Sequence, residues 1–133
     1  MADDLRRIER LLRVQREIRK RADWQLARAS AASASLSADR QRLLTALSEA
    51  DAAHADLIVT LAATRLTRLD VSIATAAKTE AEAAQAARAE TGRADALERR
   101  HRTLARREAD QAERRTLMDI GEAAAGRTDD SLG

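Results

Sequence analysis

No cysteine, proline, phenylalanine or tyrosine occurs in the 133 residues, and Trp24 is the only aromatic side chain. Without cysteine there are no disulfides, no thiol chemistry and no cysteine-ligated zinc. With so few aromatics and β-branched residues, a compact globular core is hard to assemble. No apolar run approaches the ~20 residues needed to cross a bilayer. The opening Met1-Ala2-Asp3-Asp4 runs straight into alternating Arg and Leu, which does not read as a signal peptide, so the cytoplasm is the expected compartment. Histidine appears only as His54 and His101, with no HExxH motif and no Gly-rich phosphate loop. No nucleophile lies beside a base, and an elongated helical protein has no water-excluding cleft. The expectation is therefore no catalytic residue, no metal ligand and no cofactor. Each histidine reads as a polar residue tolerated on or near a helix seam.

Alanine, at about a quarter of the positions, and charged residues, at 35%, dominate the composition. Ala, Glu, Leu and Arg with a helical period mark long helices and coiled coils. The high charge raises the alternative of disorder, but net charge is only +2 and the apolar spacing is too regular for a solvated tail. The charge is unevenly placed. Residues 1–28 hold nine basic and five acidic side chains, 29–96 hold seven and nine, and 97–133 hold eight of each.

Leu5, Ile8, Leu12, Leu26, Ala29, Leu36, Leu43 and Leu47 keep one heptad frame, widened early by Leu11, Val14 and Ile18. Asp3 or Asp4 caps this helix, and Glu9–Arg13 and Glu17–Arg21 have the favourable i,i+4 order. A second frame holds Val59, Ala62, Leu66, Leu69, Ile73, Ala76, Ala83, Ala87, Ala94, Leu97, Leu104 and Met118. The frames join only through a slip of about two residues, which a hairpin turn produces. No glycine or proline marks that turn. It is placed near 50–64, where Asp51 or Asp56 is available as the next cap.

Gly92 is the other candidate break, one that would yield a spectrin-like three-helix bundle. Glycine alone costs about 1 kcal/mol in a helix, and Ala87, Ala94 and Leu97 stay in frame across it, so a continuous helix is predicted. The fold class is all-α: a long antiparallel two-helix coiled-coil hairpin over 1–124, some ~70–90 Å long, with a disordered tail over 125–133. Its seam is mostly alanine at the centre, with Ser33, Arg40, His54, Glu80 and Glu90 at core-like positions. Such a seam buries few methylenes at ~0.8 kcal/mol each, and suits helices that a partner completes.

Arg6, Arg7, Arg10, Arg13, Arg16, Arg19, Lys20 and Arg21 form a basic run. A solvated face is the plain reading of it. Phosphate, anionic membrane or an acidic protein surface are the functional ones. Twenty-two acids and one aromatic argue against nucleic acid, and the lack of aromatic anchors argues against membrane insertion, leaving a protein partner. Trp24 is an interface anchor or a residue packed at the flank of the seam.

The stretch Leu5-Arg6-Arg7-Ile8-Glu9-Arg10-Leu11-Leu12-Arg13-Val14-Gln15, followed by Ala- and Leu-rich coil, resembles the opening of the flagellar type III export stalk family (FliJ-like). Leu97-Glu98-Arg99-Arg100 and Arg106 through Arg115 are similar to that family's closing helix. Where the family usually ends on a Leu-Asp-Glu step, this chain has Leu117-Met118-Asp119. The resemblance implies an antiparallel hairpin like the shaft of rotary ATPases. Its partners would be the hexameric export ATPase and the membrane export gate, with export chaperones as a further class, and it would meet the membrane only through them. It also implies that the joined chain ends enter the ATPase ring. The binding residues would be Arg6, Arg7, Arg10 and Arg13, with Arg106, Arg107, Arg114 and Arg115, and Trp24 beside them. The alternative is a structural coiled-coil scaffold or spectrin-like spacer with no secretion role. Flagellar and injectisome use are not distinguished, nor a monomeric hairpin from a weak dimer.

Overall fold

A computed structural model describes residues 2–50 and 55–132, with side chains through 127. Two α-helices account for nearly all of it: α1 (Ala2–Ser48) and α2 (Ala55–Leu132). The described residues contain no strand.

Local chemistry explains the ends. Asp3 and Asp4 lie in the first turn of α1 and Asp56 in that of α2, where carboxylates meet the positive end of the helix dipole. At the close of α1, Ser48 Oγ donates to the Thr45 carbonyl at 2.7 Å, and Glu49 N donates to the same oxygen at 3.2 Å. A side chain that offers the backbone a local bond competes with helix continuation. Threonines inside α2 spend their hydroxyls the same way. Thr60, Thr64, Thr67, Thr75 and Thr79 each donate to the carbonyl four residues back, which lets β-branched side chains sit in a long helix.

The chain divides into two compact units, residues 1–16 with 92–133 and residues 17–91. In the second unit, the less exposed side chains of α1 include a row at Ala22, Leu26, Ala29, Ser33, Leu36, Arg40, Leu43 and Leu47. Those of α2 include a row at Ala62, Leu66, Leu69, Ile73, Ala76, Glu80, Ala83 and Ala87. Both series step by alternating threes and fours, the heptad signature. Two bonds cross between the helices here. Ser30 Oγ donates to Glu80 Oε1, and Arg40 Nε donates to Asp70 Oδ1, each at 2.9 Å. In the first unit Ile8, Leu12 and Gln15 of α1 and Ala94 of α2 are buried. Glu9 Oε1 lies 3.5 Å from His101 Nε2.

The seam is thin. No large side chain among the described residues is fully buried, and four of the six buried apolar residues are alanines. Four of the polar residues expected there (Ser33, Arg40, Glu80 and Glu90) are half-buried. His54 and the Asp51 cap lie outside the described residues.

Several expectations are corrected. Residues 55–64, most of the span expected to hold the turn, are helical. Val59 is exposed, and Ile58 takes the inward position beside it. Met118 is also exposed, because every described side chain from Ala112 onward faces solvent. Leu11, Val14 and Ile18 do not widen the seam but stay outside it. Glu17 pairs with Lys20 instead of Arg21, and Glu9 meets His101 instead of Arg13. The expected tail is helical through Leu132, since Ala123–Ala125 favour helix and a lone Gly126 costs only about 1 kcal/mol.

Helix α2 is unbroken at Gly92, as its neighbours' frame required, which leaves two helices and no three-helix bundle among the described residues. A Cβ added at Gly92 meets nothing within 4 Å, and its φ is not positive. Gly92→Ala is therefore expected to raise stability by about 0.5–1 kcal/mol. A thermal melt followed at 222 nm checks it; a lower midpoint would mean that the position needs glycine.

Candidate protein-binding surface

Heptad geometry decides where the arginines go. With Ile8, Leu12 and Gln15 turned inward, Arg6, Arg7, Arg10 and Arg13 occupy the remaining faces of α1, and all four are exposed. Arg6, Arg10 and Arg13 follow one another by four and three residues and share a face. With Asp3 and Glu9 they line a shallow groove along α1. A second groove in the same unit sets Glu9, Leu12, Arg13 and Arg16 of α1 against Glu98, His101 and Arg102 of α2. Arg13 borders both grooves, so the two form one surface. Three guanidinium groups and two carboxylates line the second groove, with Glu9 and His101 approaching each other among its lining residues.

On α2, Arg106 lies one turn beyond Arg102, and Arg106 and Arg107 are both exposed. Arg114 and Arg115 stand further along, within the fully exposed stretch that begins at Ala112. Eight of the nine residues singled out from the sequence thus belong to the first unit. Trp24 belongs to the second. It is 61% exposed, not packed beside the seam, and the Arg28 guanidinium lies 5.3 Å from its ring centroid. At such an exposed site this contact contributes roughly 0.5–1 kcal/mol.

Arg16, Glu98, His101 and Arg102 are not among those nine residues. Arg16 continues the row from Arg13 and was legible as part of the basic run. The other three join the surface only through the pairing of α1 with α2, which neither helix's own periodicity reveals.

The surface is open, and what it can do is electrostatic. Exposed guanidinium groups can steer an acidic surface toward them, each contact being weak and salt-sensitive. No group of three His, Cys, Asp or Glu side chains suited to a metal ion occurs among the described residues. No described helix is long and apolar enough to cross a membrane. No family model matches the chain, and no curated protein or solved structure matches it significantly.

Proposed function

We propose that this chain is a cytoplasmic coiled-coil stalk of a flagellar type III export apparatus. In this reading its two helices form an antiparallel hairpin, and the arginine face of its first unit binds the export ATPase ring. The second unit engages the export gate, directly or with an export chaperone, and the chain itself carries out no catalysis.

One observation carries the reading: the arginine-rich stretches from near both ends of the chain belong to one compact unit, with Arg13 and Arg102 on a shared groove. The resemblance to the export stalk family implies that the joined ends meet the ATPase, and a unit that presents exposed arginines from both helices suits that role. The antiparallel coiled coil has support of its own in the second unit. There the inward positions of α1 read forward and those of α2 read backward have the same spacing, and from Ala22 with Ala87 to Leu47 with Ala62 each pair of numbers adds to 109. The Ser30–Glu80 and Arg40–Asp70 bonds run in the same sense. Six residues between the helices reach at most about 25 Å, which also favours α2 returning along α1.

Size-exclusion chromatography with light scattering, on the chain alone and with a flagellar export ATPase, tests the function. A monomer that co-elutes with the ATPase at low salt is expected. A stable dimer that ignores the ATPase would instead leave a structural coiled coil.

A further inference from the structure

We propose that the outer face of α2 from Leu57 to Thr75 docks an amphipathic helix of another protein, one that carries carboxylates beside its apolar stripe. Leu57, Leu61, Thr64, Arg68, Val71 and Thr75 follow at steps of four, three, four, three and four. That is a second heptad seam, separate from the one packed on Ala62, Leu66 and Leu69. Leu57 and Leu61 are each 63% exposed and Val71 64%, a concentration of bare aliphatic surface in a chain with few large apolar residues. The threonines do not spoil it. Thr64 Oγ1 donates to the Thr60 carbonyl and Thr75 Oγ1 to the Val71 carbonyl, so neither hydroxyl needs a partner from an incoming chain.

Three depressions border the face between Leu61 and Thr75. One depression lies around Leu61, Leu43 and Leu47, the next around Leu61, Arg65 and Arg68, and a third around Val71, Thr75 and Ala29. The first two share Leu61 and the last two share Ser72, so they form one run. From Leu57 to Thr75 a helix advances about 27 Å, five turns, the length of an ordinary partner helix.

Charge selects the occupant. Arg65 and Arg68 sit in the middle of the face, both exposed, and neither has an ion-pair partner among the described residues. The neighbouring Asp70 is held by Arg40. A second copy laid antiparallel on this face would bring two Arg65 and two Arg68 side chains together, a like-charge contact that opposes self-association. A helix with Glu or Asp flanking its apolar stripe pairs with them and covers the leucines. This proposal stands apart from the stalk reading and concerns only the second unit.

The test uses two fluorescent four-heptad peptides with Ile and Leu at the seam positions, one with Glu and one with Lys at the flanking positions. Each is titrated with the full chain, and anisotropy is read. The acidic peptide is expected to bind at least ~10-fold tighter than the basic one. Leu61→Asp with Val71→Asp should weaken it by ~10-fold or more at unchanged helicity, because both sites are exposed. Arg65→Glu with Arg68→Glu, which leaves the apolar face intact, should invert the preference. Equal binding of the two peptides would overturn the proposal, as would binding that survives Leu61→Asp and Val71→Asp, the mark of a peptide invading the packed seam. It would also fall to a dimer that Leu61→Asp dissolves, or to a preference for anionic phosphatidylglycerol vesicles over the acidic peptide that Leu61→Asp abolishes.

Discussion

On the stalk reading, reversing the charge at Arg6, Arg7, Arg10 and Arg13 together should weaken binding to the export ATPase about 100-fold at low salt. Exposed ion pairs contribute roughly 0.2–1 kcal/mol each, and reversal replaces attraction with repulsion. Four such changes therefore remove on the order of 3 kcal/mol, and 1.4 kcal/mol is tenfold in affinity. All four side chains are exposed and lie outside the packed seam. Helicity should therefore be unchanged, which separates lost binding from lost structure. Raising salt should weaken the wild type steeply and the variant hardly at all. Arg88→Glu, exposed in the second unit, should bind as the wild type does. Titration at two ionic strengths checks all of this. A variant that binds within a factor of three of the wild type would remove the basic face from the interface.

Leu12→Ala should cost about 2–3 kcal/mol, whereas Leu11→Ala should cost less than about 0.5 kcal/mol. The two leucines are adjacent in sequence but lie about 100° apart on the helix. Leu12 is 6% exposed and Leu11 48%. The low end of the usual Leu→Ala range applies because the seam is thin and can partly close over the gap. Loss should be concentrated in the first unit, since that is where Leu12 packs. Amide exchange in residues 2–16 and 92–108 should accelerate before exchange near Leu36 and Ile73. The second groove should fail with it, because Leu12 lines that groove beside Arg13. Equal costs for the two leucines would mean that the helix is rotated from the frame described here.

Much of the helical architecture was legible because long helices repeat one rule. Ile8, Leu12, Leu26, Leu36 and Leu43 all fall in one heptad frame on the inward face of α1, and no proline contradicts them. Legibility fails where the local pattern is ambiguous. Leu57-Ile58-Val59 is an unbroken apolar run, and periodicity alone cannot choose which member faces in. Packing chooses Ile58, which frees Leu57 for the outer face. Met118 keeps the heptad phase, but no α1 residue covers the stretch from Ala112 onward, so phase alone does not bury it. The arginines of the candidate site could be named from the run that contains them. Their assembly with Glu98, His101 and Arg102 required knowledge of which residues of α2 lie beside α1.

All of this depends on α2 returning along α1, and the absence of cysteine allows a direct measurement. Leu36→Cys with Ile73→Cys, in a chain with no other thiol, is joined with a short bismaleimide at low protein concentration. An antiparallel hairpin predicts an intrachain link, read as a faster-migrating monomer, while Leu36→Cys with Ala87→Cys stays unlinked because those positions lie about 20 Å apart along the helix. A product at twice the chain mass, or equal linking of both pairs, would contradict the hairpin and the basic surface built on it.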